Sequence, residues 1–439
     1  MIADAPPAPV VLVAAPTTAE SAPGASQPAN DAGATVARPA AGPEIAQGWR
    51  RRLAEKGILL NASYTSESAA VVTGGRDDGA AYTQQIHASL QIDTGKIIGL
   101  DGGKFIFSVL HRKGEDLTAT RIGNLFEVQE LFGGGQDFRP AEISYEQKLD
   151  DGRTALKIGL YHTGDDFATI STGCSFQNFA LCPRPTSLFY NSGFSGFPIP
   201  RWAVRVRREL GHGVFVTLAA FEVNGERAQT GNGWHVAPRF DSFVVPLELG
   251  WKIDQKPNGL PGLLRIGALV DTTDKPDVRD DVNGGSYVLT GLLPATRHER
   301  WSAWIMGEKM VTRFGPGDRG LVVFGTFTRS DSHTARIKNF ATAGFVARGP
   351  FDGRPKDSFG FGLIYGRVNP RITERQRDQS SLGQNVIVQT TETSAELFYG
   401  WQVNPHLLFR PNLQYIHRVG GSDRYPDAVV AGLTIKAGL

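Results

Sequence analysis

Over residues 394–439 the chain alternates apolar and polar positions with a period of two, in three segments spanning 394–402, 406–418 and 428–437. A tight turn, Val403-Asn404-Pro405, joins the first pair, and a polar loop over 419–427 joins the second. In the first segment Ala395, Leu397, Tyr399 and Trp401 share one face, opposite Ser394, Glu396 and Phe398. In the second, Leu407, Phe409, Pro411, Leu413 and Tyr415 oppose Arg410, Asn412 and Gln414. A period of two with so continuous an apolar face predicts β-strands. Such a face is either the core side of a soluble sandwich or the lipid side of a membrane barrel, whose polar face lines a lumen.

The same alternation begins at residue 58. Leu60, Ala62 and Tyr64 oppose Asn61, Ser63 and Thr65, and the segment ends at Thr73-Gly74-Gly75. Tyr82, Gln84, Ile86, Ala88 and Leu90 then oppose Gln85, His87, Ser89 and Gln91, and Phe105, Phe107 and Val109 oppose Lys104, Ile106 and Ser108. Further segments are predicted near 141–149, 154–162, 201–210, 213–223, 243–254, 262–271, 300–310, 319–329, 339–348 and 357–367. With the three at the C-terminus this makes about sixteen strands, an even number suited to an outer-membrane barrel.

The connections favour the barrel over the sandwich. Asp150-Asp151-Gly152 and Gly211-His212-Gly213 are tight hairpin turns, and they alternate with excursions over 163–200, 224–241 and 272–299. Short turns on one rim and long loops on the other are what an all-β transmembrane antiparallel barrel shows, the short turns periplasmic and the long loops extracellular. Aromatic residues gather near strand ends (Tyr64, Tyr82, Trp202, Trp251, Trp301, Tyr365, Tyr399 and Trp401), where interfacial girdles would place them.

Composition narrows the choice further. With 41% hydrophobic and 21% charged residues, the 439-residue chain is too polar for a helical membrane protein. Its most apolar window, residues 8–16, is far short of the ~18 residues of a spanning helix. The formal charge of +2 gives no basis for a nucleic-acid partner. Residues 1–42 are mostly Ala, Pro, Thr, Ser and Gly and are expected to form a disordered leader or linker. A short helix is predicted over 43–57, carrying Arg50, Arg51 and Arg52 and stopped by Gly57, ahead of a barrel domain over 58–439. An exported protein is expected to begin with a basic, then apolar, then small-residue signal, and Met1-Ile2-Ala3-Asp4 has no basic residue.

Little in the sequence suggests covalent chemistry. Gly99-Leu100-Asp101-Gly102-Gly103-Lys104 lacks the spacing and the following helix of a phosphate loop. The nine histidines show no metal-ligand spacing, so neither a metal nor a cofactor is expected. Cys174 and Cys182, eight residues apart, suit a local disulfide in an oxidising compartment; two free thiols, or half of a metal site, are the alternatives.

The polar faces say more. Around residue 205, Arg201, Arg205, Arg207 and Glu209 oppose Trp202, Val204 and Val206. In a barrel this arginine row points into the lumen, and Glu67, Glu392, Glu396 and Arg410 would point inward from other strands, with Asn412 and Gln414 on the same face as Arg410. Opposed basic and acidic rows set up a transverse field that orders polar solutes. Sugar hydroxyls suit such a constriction. The bland reading of the same residues is inter-strand salt bridges that stiffen the wall.

Several segments, in their order and spacing, resemble the carbohydrate-selective porins of the OprB type. They are Trp49 to Ile58 (Trp-Arg-Arg-Arg-Leu-Ala-Glu-Lys-Gly-Ile), Thr73-Gly74-Gly75, the loop Cys174-Ser175-Phe176-Gln177-Asn178-Phe179-Ala180-Leu181-Cys182, Glu396-Leu397-Phe398-Tyr399, Arg410-Pro411-Asn412-Leu413-Gln414-Tyr415-Ile416 and Gly420-Gly421. The resemblance implies a sixteen-stranded barrel in the outer membrane of a Gram-negative bacterium, passing monosaccharides and related polyols passively, without a cofactor. It also implies that the cysteine loop folds inward to narrow the pore and that Gln414 sits on a wall strand. Departures are Leu439 in the last position, where an aromatic is usual, Pro183 after the second cysteine, and the Pro/Ala-rich leader. The partners implied are small carbohydrates, outer-membrane lipid and the barrel-assembly machinery. The oligomeric state is left open, a monomer included. An outer-membrane hydrolase on a barrel scaffold and a soluble all-β carbohydrate-binding protein are the rival readings.

Overall fold

Alternation along the chain becomes a sheet that closes on itself. In the computed structural model, which describes residues 44–182, 184–256 and 259–438, eighteen strands form. They are β1 (Ile58–Thr73), β2 (Ala80–Asp93), β3 (Gly103–Gly114), β4 (Phe138–Leu149), β5 (Thr154–Tyr161), β6 (Arg201–Gly211), β7 (Val214–Glu222), β8 (Phe243–Ile253) and β9 (Gly262–Asp271). The chain continues through β10 (Lys275–Asp281), β11 (Pro294–Arg297), β12 (Arg300–Arg313), β13 (Gly320–Ser330), β14 (Ile337–Arg348), β15 (Ser358–Val368), β16 (Thr391–Asn404), β17 (Leu407–His417) and β18 (Ala428–Gly438). Sixteen of them pair with their neighbours into a closed antiparallel barrel, and β10 and β11 form a separate two-stranded ribbon in the long β9–β12 connection. Closure is made by β1 against β18, in register from Ser63 opposite Gly438 to Thr73 opposite Val429. Among the described residues the barrel sheet itself is left with no edge strand.

The register places the apolar row outward on every side. Leu397, Tyr399 and Trp401 on β16, Leu413 and Tyr415 on β17, and Val204 and Val206 on β6 are exposed on the outer wall, whereas Glu396, Phe398, Gln414 and Arg205 are buried inside. Among the described residues no helix is long and apolar enough to span a bilayer. The outward apolar belt of the strands has the pattern of a lipid-facing wall. Trp251 and Trp401 stand toward the short-turn end of their strands, and Tyr82, Trp301, Tyr365 and Tyr415 toward the long-loop end, all exposed on the outer wall.

The rims differ as the strand spacing requires. One rim carries tight connections. There Asp150, Asp151 and His212 adopt positive φ of 52–55°, and Gly152 and Gly213 follow at 83° and 79°. These are left-handed turn conformations that match the twist of a hairpin. The other rim carries residues 115–137, 162–200, 223–242, 272–299 and 369–390, the last holding a helix, Pro370–Ser381. The β9–β12 connection and this helix pack together through Asp277, whose carboxylate accepts from Arg297, His333 and Arg371 at 2.7–3.0 Å. A helix over Glu44–Glu55 precedes β1 on the short-turn rim, where Arg50 donates to the Leu60 carbonyl at 2.7 Å. That carbonyl lies beyond the last residue pair of β18, so the arginine satisfies an acceptor that the ladder leaves open. The leader over 1–42 falls outside the described residues.

Leu397 lies near the middle of β16 with its side chain outward. Leu397→Arg is expected to destabilise the barrel by roughly 2–4 kcal/mol, the cost of a cation at the bilayer midplane. Urea-dependent folding into phospholipid vesicles would measure it; an unchanged midpoint would place this face away from lipid.

Candidate functional site

The barrel is too wide to be filled by wall side chains, and residues 162–200 fold into it. A loop in that position has no strand partner for its amides, and each buried N–H needs an acceptor. The wall supplies carboxylates. Glu248 on β8 accepts from the Ala168 amide at 2.8 Å and from the Trp304 indole at 2.8 Å. Glu308 on β12 accepts from the Ser171 and Thr172 amides at 3.1 and 2.8 Å. Glu396 on β16 accepts from Gln177 and Asn178 at 2.8 and 2.7 Å, and Asp271 on β9 accepts from Gly193 at 2.6 Å. The second infolded loop, 115–137, is held the same way. Glu392 accepts from Leu125 at 2.8 Å and from Gly420 at 2.7 Å, and Glu67 accepts from Leu131 at 3.1 Å. An ionised carboxylate is an acceptor-only group with room for several donors, which suits it to pairs of backbone N–H groups.

One side of the lumen is an apolar seat. Phe176 of the loop packs edge-on against Phe324 of β13 and Phe398 of β16, with centroids 5.6 and 5.0 Å away, and Phe126 packs against Phe340 of β14 at 5.5 Å. Inward glycines on β15 make room. A Cβ on Gly366 would stand 2.2 Å from the Phe126 ring, and one on Gly362 would stand 2.7 Å from Leu181. The loops therefore lean on β13–β16.

The opposite side stays polar and open. A cavity of about 310 Å³ lies against β3–β9, reaching from Gly152 and Arg153 on the short-turn rim to Asp165, Asp166 and Thr169 of the infolded loop. Arg205 and Arg207 line it, with Lys157, Lys252, Arg265, Glu146 and Glu209. Arg205 bonds Glu146 at 2.5 Å and Asp166 at 3.2 Å, joining wall to loop. Arg207 bonds Glu209 at 3.1 Å and stacks over the Phe215 ring at 3.8 Å. Where the cavity meets the loop, His162 and Arg184 hold Asp165, whose carboxyl is kept well below the usual carboxylate range by these partners in spite of its burial.

This architecture has known counterparts. Residues 77–439 match the sequence profile of the carbohydrate-selective porin, OprB family. The chain belongs to that family. It is 34% identical over 406 residues to porin B of Pseudomonas aeruginosa, covering 89% of each chain. The high-pH structure of Pseudomonas putida OprB superposes with a TM-score of 0.85 at 34% identity, covering 90% of this chain and 97% of that one. The Acinetobacter baumannii channel DcaP, at 8% identity, 87% and 97% coverage and a TM-score of 0.50, shares the fold alone. The protein is thus an outer-membrane sugar porin, a channel and not an enzyme.

Within this porin the candidate lining residues separate into groups. Arg205 and Arg207 reach the open cavity. Glu67, Glu392 and Glu396 lie beneath loop backbone, fully buried. Arg410 donates to the Cys174 and Phe176 carbonyls at 3.2 and 3.5 Å, Asn412 to Gln177 at 2.8 Å, and Gln414 to the Val128 carbonyl at 2.9 Å. Arg201 stands at the long-loop end of β6, buried and outside the cavity lining. Strands β6 and β16 lie eight places apart in the sixteen-strand ring, so the arginine row does face Glu396 across the barrel, but the infolded loop stands between them. Pattern reading passed over Glu248, Glu308, Asp271, Lys157 and Arg265. The inward parity of Glu248 between Leu247 and Leu249 was the available signal.

The cysteine pairing needs correction. Cys174 and Cys182 are both free thiols. The two amides midway between them are bound to Glu396, and the Cys182 thiol turns to donate to Glu130 at 2.7 Å. Burial, reinforced by the charge of Glu130, pushes the Cys182 thiol well above its ordinary range, and burial pushes Cys174 up to about 11.

Glu396→Ala would leave the Gln177 and Asn178 amides without an acceptor, at a cost of about 3 kcal/mol. The expected result is a barrel that keeps its heat-modifiable gel migration but conducts severalfold more, because the loop is no longer pinned. Unchanged single-channel conductance would show that the apolar seat alone holds it. Glu127, which accepts from the Tyr190 hydroxyl at 2.6 Å, is pushed up to about 7 by burial, against the opposing effect of that hydrogen bond. Its contribution to stability is therefore fully present below about pH 4.5 and is lost as the pH rises to about 7. Thermal unfolding in detergent across this window should show the decline, and Glu127→Gln should make it shallower.

Proposed function

We propose that monosaccharides cross this porin along the β3–β9 side of the lumen and leave through the polar cavity at the short-turn rim, with Arg205 and Arg207 among the groups they meet. The observation carrying this reading is the cavity itself, which lies on the side of the lumen opposite the apolar seat. Its volume of about 310 Å³ is at the small end of ligand pockets, which favours one sugar ring over two. Closely spaced cations and carboxylates exchange hydrogen bonds with hydroxyls readily, so a sugar replaces its hydration shell in steps and no step binds it tightly. Closure without an edge strand supports a barrel complete as a monomer, and the apolar outer belt supports its insertion into lipid by the barrel-assembly machinery.

Single-channel conductance in a planar bilayer, titrated with glucose and with a disaccharide, tests the reading. The expected outcome is saturable block by glucose and weaker block by the disaccharide. Arg205→Ala with Arg207→Ala should lower anion preference and weaken glucose block severalfold. Conductance indifferent to glucose would remove the sugar path from this cavity.

A further inference from the structure

The cavity has an unbalanced charge. Eight cationic side chains line it against four carboxylates. Two of the cations are answered from outside the lining, Lys157 by Glu142 at 2.9 Å and Arg265 by Glu248. The lining carboxylates are shared: Glu146 serves Arg205 at 2.5 Å and Lys104 at 3.9 Å, and Glu209 serves Arg207 and Lys252, each at 3.1 Å. Around Arg207, Arg265 and Lys252 the carboxylates of Glu209 and Glu248 answer three cations, so positive charge remains in excess there. It is concentrated at one place, because the cationic groups of Arg207, Arg265 and Lys252 converge on the Phe215 ring at 3.8, 5.4 and 5.6 Å. Like charges brought together in a partly desolvated cleft attract an anion more strongly than any one of them would.

What the cavity lacks is as informative. No aromatic ring is among its lining residues; Phe215 is fully buried with Arg207 stacked across it. A neutral pyranose would find hydroxyl partners here but no flat apolar surface to lie on. A carboxylate would find guanidinium groups, whose planar fork matches its geometry.

We propose that this cavity is a binding site for monosaccharides bearing a carboxylate, such as aldonates and uronates, and that the porin passes them in preference to neutral sugars of the same size. The proposal rests on the sugar-porin reading above and assigns that path a substrate class. The carboxylate seats among Arg207, Arg265 and Lys252, displacing part of the charge that Glu209 supplies, while the polyol hydroxyls bond Glu146 and Asp166. No covalent step is involved.

The test is block of single-channel current by gluconate and galacturonate against glucose, in the intact protein and in two variants of opposite sign. Gluconate should block at a concentration several-fold below glucose. Lys252→Gln should weaken gluconate block about tenfold, the scale of one charge-assisted hydrogen bond, and leave glucose block within about twofold. Glu209→Gln should strengthen gluconate block, an effect in the opposite direction that general loosening of the wall would not produce. Glucose block with gluconate no better, or variants that shift both solutes alike, would overturn the carboxylate site and leave the porin reading standing. Folded barrel with no sugar-sensitive current would overturn both.

Discussion

Everything inside this barrel depends on where the amides of its infolded loops find acceptors. A strand satisfies its backbone through its neighbours, but a loop in a lumen can do so only through itself, water or the wall. Here the wall answers with Glu67, Glu248, Glu308, Glu392, Glu396 and Asp271, each turned inward by strand parity and each accepting from a loop amide. The carboxylates cost desolvation energy, and the hydrogen bonds they receive offset it. In exchange the loops occupy one position, fixed from several strands at once.

The second constraint is lateral. Phenylalanines of the loops sit against Phe324, Phe340 and Phe398, and glycines on β15 let them come close. This packing draws the loops toward β13–β16 and leaves the charged wall of β3–β9 wetted. The opening is therefore off-centre, and its chemistry is that of one arc of the barrel. Acids of β1, β8, β9, β12 and β16 hold the loops, while bases of β5, β6, β8 and β9 face the cavity.

Much of the fold was legible because lipid and lumen impose alternation on every strand. The predicted segments 201–210 and 262–271 match β6 and β9 closely, and the turns at residues 150–152 and 211–213 fall where the hairpins form. Boundaries slipped where alternation weakens. The start of β4 at Phe138 precedes the segment read from 141, since Arg139 and Pro140 mask the pattern. The β10–β11 ribbon was missed because the Asp-rich β10 and the four-residue β11 carry no apolar face. The cysteines misled for a related reason: spacing along the chain says nothing of an acceptor such as Glu130, which lies on another loop.

Sequence alone determined that this chain is built of alternating strands with one apolar face, and it favoured a barrel with short turns on one rim and long loops on the other over a soluble all-β fold. Those properties follow from a period of two and from local turn chemistry, which neighbouring residues carry. It also determined that Glu396, Arg205 and Gln414 point inward. Only the tertiary structure decided what each of them meets there. Glu396 and Gln414 are covered by residues 177 and 178, more than two hundred positions away in the chain, whereas Arg205 and Arg207 remain beside open volume. Parity is a local property of a strand. Occupancy of a lumen is set by how distant segments divide the space, and hydrogen-bond geometry between them is what divides it.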